Sequence, residues 1–237
     1  MREEPDARPR LPHTTGLYHV AILLPTRADL ARVLGRLMDT GYPIEGAADH
    51  GVSEAIYLND PEGNGIEIYR DRPRHEWPHV SGTLAMVTDP LDVDGLLGEA
   101  GANGSGWRGM PNETRVGHIH LQVGDLEPAV QFYRNTVGFE VMQHFGRSAA
   151  FLSVGGYHHH IGLNTWAGIG AQPPPAGTRG LRGFVIRLSS QLAVEAAVGC
   201  MITTGWECTQ GDGFVRTHDP AGNILRLAWM ETKAQPN

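Results

Sequence analysis

The string GLYHVAILL, Gly16 to Leu24, is apolar almost throughout and has no turn residue in its interior, which predicts a β-strand with His19 in its middle. The period then changes. Leu30, Val33, Leu34 and Leu37 fall at i, i+3, i+4 and i+7 and Gly41 stops the run, which predicts a helix over RADLARVLGRLMDTG. Strand patterns return in SEAIYLN and GIEIYRD, on either side of a D-P-x-G-N turn.

This order of strand, helix and further strands occurs three times, the sign of an internal repeat. The second copy runs through VGHIHLQVGDLEPAVQFYRNTVGFEVM to AAFLSVGGYHHHIGLNTW; Asp125 is placed to cap its helix, Val130 and Tyr133 recur at helical spacing, and Gly138 ends it. The third runs from GLRGFVIRLSSQLAVEAAVGCMITTGWEC to GFVRTHDPAGNILRLAW and repeats the D-P-x-G-N turn of the first. The chain therefore divides into a flexible N-terminus (1–15), a module (16–73), a linking segment (74–114), a second module (115–167), a Pro/Gly linker (168–179) and a third module (180–232). The linking segment is expected to hold a strand in TLAMVT and a short helix in DVDGLLGEAG.

Composition narrows the function. A hydrophobic content of 41% over 237 residues can fill a sizeable core, and 31 glycines with 16 prolines fit many turns and short strands. A net charge of −7 argues against nucleic acid or an anionic membrane surface as a partner. No apolar run approaches the roughly 20 residues that span a bilayer. The charged, Pro-rich MREEPDARPRLPHTT is unlike a signal peptide, so the expected location is the cytoplasm. Cys200 and Cys208 make no C-x-x-C and are read as reduced packing residues.

The chemistry lies in the 12 histidines. With the repeats aligned, HVAILL matches HIHLQV, so His118 falls where His19 falls, and Glu67 lies in the last strand of the first module. In the third module Gly183 stands in place of His19 and Arg226 in place of Glu67. Packing alone poorly explains polar positions kept in some repeats and dropped in another. Two imidazoles and a carboxylate on strands that pack together suit a facial site for Fe(II) or Mn(II), with positions left open for substrate and O2. Alternation puts His118 and His120 on one sheet face, and likewise His158 and His160, with His159 on the other.

GLYHVAILLPTR, DHGVSEAIYLNDPEGNGIEIYRDRPR, GHIHLQVGDLEPAVQFY and GGYHHHIGLNTWAG resemble the vicinal oxygen chelate superfamily, and within it the extradiol ring-cleaving dioxygenases of the catechol 2,3-dioxygenase kind. The resemblance covers nearly all of the chain from Gly16 onward. It implies an α+β fold of repeated βαβββ modules whose curled mixed sheets form a metal-binding cavity. It also implies His19, His118 and Glu67 as ligands of Fe(II), with Mn(II) as the alternative ion, His50 as acid/base and Tyr57 as hydrogen-bond donor. His120, His158 and His160 are expected in the substrate pocket. The implied reaction is insertion of O2 into a small aromatic diol beside its hydroxyls, giving a 2-hydroxymuconic semialdehyde, in a protein expected to be a homo-oligomer.

Longer members of this family have four modules, and this chain begins where their second would begin. The retained His118 argues that the first two modules seen here share the site, which leaves the third without a partner unless it pairs across a dimer. Two rival readings are a metal-dependent glyoxalase or epimerase of the same fold and a drug-sequestering binding module. The first usually has a fourth protein ligand, and the sequence offers only Gly162 or His160 at that place. His13, His75, His79 and His144 read as surface residues, RDRPRHEW as a solvated charged loop, and Trp166 as a packing residue.

Overall fold

In the first repeat β1 (Gly16–Leu24) leads to α1 (Arg27–Thr40), followed by β2 (Gly46–Asp49), β3 (Ser53–Asn59) and β4 (Gly65–Asp71). The structure is a computed structural model and describes residues 3–100 and 106–229. Helix α1 starts where the Thr26 hydroxyl accepts from the Asp29 amide at 3.1 Å, and it stops at Gly41, whose φ of 64° is left-handed. Its apolar stripe (Leu30, Val33, Leu34) packs on Ile56, Leu58 and Ile68 of β3 and β4. Between β3 and β4 the Asp60 carboxylate accepts from the amides of Glu62 and Asn64 at 2.9 and 2.8 Å, which closes the D-P-x-G-N turn.

The linking segment carries a 3-10 turn (Arg74–Glu76), the short strands β5 (His79–Val80), β6 (Thr83–Leu84) and β7 (Asp89–Pro90), and α2 (Val93–Gly98). Of TLAMVT only Thr83 and Leu84 pair as a strand; the amides of Ala85 and Val87 turn instead to the carbonyls of Pro78 and His50. The expected helix DVDGLLGEAG reaches Gly101, and the expected third-module boundary reaches residue 232; both points lie outside the described residues.

The second repeat is built from β8 (Arg115–Gln122), α3 (Leu126–Phe132), a π-turn (Tyr133–Val137), β9 (Glu140–Phe145), β10 (Ala149–Ser153) and β11 (Ile161–Asn164). The first two repeats share one nine-stranded sheet in the order β7-β2-β3-β4-β1-β8-β11-β10-β9. Within it β1 runs parallel to β4 and antiparallel to β8, with register shifts at Leu17/His19 and Ala21/Ile22. Such irregularities sharpen local twist, and the sheet curls round one concave face.

The third repeat has β12 (Phe184–Leu188), α4 (Gln191–Thr204), β13 (Cys208–Gly211), β14 (Phe214–His218) and β15 (Ile224–Trp229), forming a separate sheet in the order β12-β15-β14-β13. Val194, Ala197 and Met201 of α4 share a core with Phe132, Tyr133 and Val137 of the second repeat. The buried Tyr133 hydroxyl donates to Asp219 at 2.9 Å across this junction. The N-terminal segment, expected to be flexible, is tied down instead: Arg8 and Thr14 bridge to Thr178 and Gln172, and the Arg10 guanidinium donates to Leu17 and Gln122. Cys200 is exposed rather than packed, and Cys208 is half-buried. Among the described residues no helix is long and apolar enough to cross a membrane.

Candidate metal centre

Strand register builds the centre. Ala21 of β1 lies between Glu67 of β4 and His118 of β8, so these three side chains stand on one face, and His19 joins them from two positions earlier on β1. His19 Nε2 is 2.9 Å and His118 Nε2 3.2 Å from the same Glu67 oxygen, Oε2. All three residues are buried, and one ligand atom from each lies within 4.8 Å of the others. Ala21 is fully buried and adds only a methyl group between Glu67 and His118, which leaves room where the donors converge.

Electrostatics favours ligand forms. Burial alone would raise the Glu67 carboxyl, but the His118 and His19 imidazoles outweigh it and hold the group well below the usual carboxylate range. Burial pushes the His118 imidazole down to about 4 against the pull of Glu67, so it is neutral near pH 7. A neutral imidazole beside a carboxylate is what a divalent cation of the Fe(II) or Mn(II) type requires. Bonds of about 2.0–2.2 Å at right angles put donors roughly 3 Å apart, which matches the two measured separations. Despite its closeness to Glu67, His19 Nε2 is not aligned for a hydrogen bond and has no partner among the described residues. Leaving such a nitrogen buried costs on the order of 1–3 kcal/mol, and a cation on its lone pair removes that cost. The residues fit a metal ion. Among the described residues His118 Nδ1 also has no hydrogen-bond partner.

Above the donors lies a cavity of about 240 Å³ whose walls include His19, Glu67, His50, Tyr57, His120 and His159. His50 Nδ1 donates to the Val87 carbonyl at 2.8 Å, so in the neutral ring Nε2 accepts from the Tyr57 hydroxyl at 2.7 Å. Burial, then the Glu67 charge, pushes the Tyr57 phenol well up, so it keeps its proton.

The second repeat inverts the first repeat's sizes. His120 occupies the place of Ala21, and Gly162, its neighbour on β11, occupies the place of Glu67. A Cβ on Gly162 would lie 2.7 Å from the His120 ring, and Asn164 donates to His120 Nε2 at 3.0 Å. The position that would carry a fourth protein ligand therefore has no side chain.

Two expectations about the three-histidine run are corrected. Residues 154–160 form a loop between β10 and β11, with Gly155 and Gly156 at positive φ, so strand alternation does not apply to it. His158 is buried and donates through Nε2 to Asp71 Oδ1 at 2.9 Å, while His160 Nδ1 meets the Ser153 hydroxyl at 2.8 Å. Neither is on the cavity wall; His159 is. Its signal in the sequence was the pair of glycines, which mark a turn. Trp166 is also on the wall, half-exposed and packed edge-on against Tyr18 at 5.1 Å. His13, His75, His79 and His144 are exposed. The charged run is partly internal, because Arg70 is buried against Glu54 and Arg72 pairs with Asp49.

The sequence profile of the glyoxalase/bleomycin resistance protein/dioxygenase superfamily matches residues 1–68 and 115–225. The chain belongs to this superfamily. It is 45% identical over 208 residues to a catechol-2,3-dioxygenase of Bacillus subtilis, covering 87% of this chain and 72% of that protein. A shorter match, 39% over 62 residues, covers 26% of this chain and 33% of a biphenyl-2,3-diol 1,2-dioxygenase of Rhodococcus globerulus. The crystal structure of a putative dioxygenase from Bacillus subtilis superposes with a TM-score of 0.62 at 13% identity, over 94% of this chain and 64% of that one. Glyoxalase I from Zea mays superposes at 0.52 with 15% identity, over 92% of this chain and 69% of that one. At those identities the superpositions establish the fold alone, a mixed α+β fold with a curled sheet. This superfamily member is a catechol dioxygenase-like enzyme.

Proposed function

We propose that the protein is an extradiol dioxygenase that inserts O2 into a catechol at an Fe(II) centre held by His19, His118 and Glu67. The observation that carries this reading is the three-donor cluster beside a cavity whose wall holds the Tyr57–His50 pair, with no side chain at Gly162 to supply a fourth ligand. Fe(II), when bound, supplies charge to chelate both diol oxygens and an electron path between ring and O2; Mn(II) suits the same donors.

The chain's own residues do the rest. The cavity wall includes the apolar side chains of Phe151 and Val52, against which a flat ring can lie. Tyr57 and His50 share a hydrogen bond on the cavity wall: with its ring neutral, His50 Nε2 is the base that takes a proton, and once that ring is protonated the Tyr57 hydroxyl is free to donate to substrate or oxygen. The Val87 carbonyl fixes the His50 tautomer and stabilises the ring when it is protonated. Ring cleavage beside the diol consumes one O2 per catechol, with both oxygen atoms in the 2-hydroxymuconic semialdehyde. A glyoxalase reading has less support, because the fourth-ligand position is a glycine. The test is anaerobic loading with Fe(II) followed by catechols in air. A yellow ring-fission product is expected, and an iron-loaded protein that leaves every catechol unchanged would overturn the reading.

A further inference from the structure

Gln143 stands on β9 and lines the cavity together with Met86 and Val87 of the linking segment. Its side-chain amide pairs twice with one residue of that segment: Oε1 accepts from the Met86 amide at 2.6 Å, and Nε2 donates to the Met86 carbonyl at 3.0 Å. Only one setting of the Gln143 amide satisfies both bonds, so its orientation is fixed. Val87, the next residue, turns its peptide groups the other way. Its amide donates to the His50 carbonyl at 3.1 Å, and its carbonyl accepts from His50 Nδ1 at 2.8 Å. The segment is thus held between His50 of the first repeat and Gln143 of the second. Strands β7 and β9 are the two outer strands of the nine-stranded sheet, and Thr88 leads directly into β7. Gln143 therefore fastens one edge of the curled sheet to the segment that enters the other, across the cavity.

We propose that Gln143 is a positioning residue that, through Met86 and Val87, holds the His50 ring in the tautomer with its proton on Nδ1 and Nε2 bare. That His50 moves a proton in the reaction rests on the dioxygenase reading; the hold on its ring does not. Residues 85–88 belong to no strand and Val87 is exposed, so without Gln143 the Met86 peptide turns to water. The Val87 carbonyl then has several positions instead of one, and an imidazole that loses its fixed acceptor exchanges tautomers. In the other tautomer a proton on Nε2 points at the Tyr57 hydroxyl 2.7 Å away, and the nitrogen that should take a proton already carries one. Both repeats therefore build the base: His50 and Tyr57 come from the first, and the residue that steadies them comes from the second.

The test compares the full chain with Gln143→Leu, which keeps the bulk of the side chain and removes both hydrogen bonds. In the Zn(II)-loaded proteins, long-range ¹H–¹⁵N spectra of the histidine rings are expected to show His50 of the wild type protonated at Nδ1 and bare at Nε2, and a mixture of tautomers in the variant. The Met86 amide should exchange slowly with solvent in the wild type and rapidly in Gln143→Leu. With Fe(II) and catechol, kcat of the variant should fall about 10–100-fold, the effect of a misplaced reacting group, while KM changes less than threefold. A folded Gln143→Leu with the single wild-type tautomer would overturn the proposal. Thermal melts identify a variant that fails to fold. In that case the wild type alone decides, and a proton on His50 Nε2 or a rapidly exchanging Met86 amide would overturn the proposal. A lost tautomer with unchanged ring cleavage, or no ring cleavage in either protein, would count against the dioxygenase reading and its use of His50, and not against the hold of Gln143 on the ring.

Discussion

Replacing His118 by Ala asks whether one ion is held jointly by the first two repeats. His118 stands on β8, and His19 and Glu67 stand on β1 and β4, yet their ligand atoms converge within 4.8 Å. Loss of a group that merely supports a ligand lowers metal affinity about 10–100-fold, so loss of a ligand itself should exceed about 100-fold. With free ion at about 100 times the wild-type dissociation constant, binding stabilises the native protein by about 2.7 kcal/mol, and a variant weakened 100-fold keeps only about 0.4 kcal/mol. For a chain of this size the lost difference corresponds to about 5–9 °C of melting temperature. The assay is a pair of melts for each protein, with Fe(II) under argon and with chelator. Taking the difference within each protein removes the packing cost of deleting the ring. His118→Ala and His19→Ala should both lose the ion-dependent shift. A full shift in His118→Ala would refute the shared site and leave His19 and Glu67 as a two-ligand site on the first repeat.

Three further outcomes follow from the geometry. His50→Gln should keep its metal but lose about 10²–10⁴-fold in kcat; elemental analysis showing lost iron would make His50 a ligand. Gly162→Ala, which forces a Cβ into the His120 ring, should cost about 1–3 kcal/mol in urea unfolding, and a neutral effect would mean that His120 is not seated against β11. Tyr133→Phe should cost about 1–2 kcal/mol by the same measurement, because it leaves the buried Asp219 one donor short at the junction with the third repeat.

Where periodicity governs, the fold and the centre were legible in the chain. The helical stripe Leu30–Val33–Leu34–Leu37, the stops at Gly41 and Gly138 and the two D-P-x-G-N turns mark physical features that any folded chain must satisfy locally. The convergence of His19, Glu67 and His118 was readable for the same reason, since strand register carries repeat alignment directly into space. His159 was not. Its position depends on a loop with two left-handed glycines and on its neighbour His158, which is tied to Asp71 about 90 residues earlier in the chain, and neither feature leaves a period. The TLAMVT segment failed differently. It has strand composition, but its amides find partners in His50 and Pro78, so tertiary hydrogen bonding overrode local propensity. The same segment brings the Val87 carbonyl to His50.

The proposed function requires that the three donors and the Tyr57–His50 pair together cleave a catechol with O2. Turnover of catechol by the Fe(II)-loaded protein under ¹⁸O2, followed by mass spectrometry of the yellow product, tests it most directly. Ring-opened semialdehyde carrying both labelled atoms is expected, with carbonyl label partly exchanged by water. Iron-loaded protein that consumes no O2, or that returns a product with the ring intact, would contradict it.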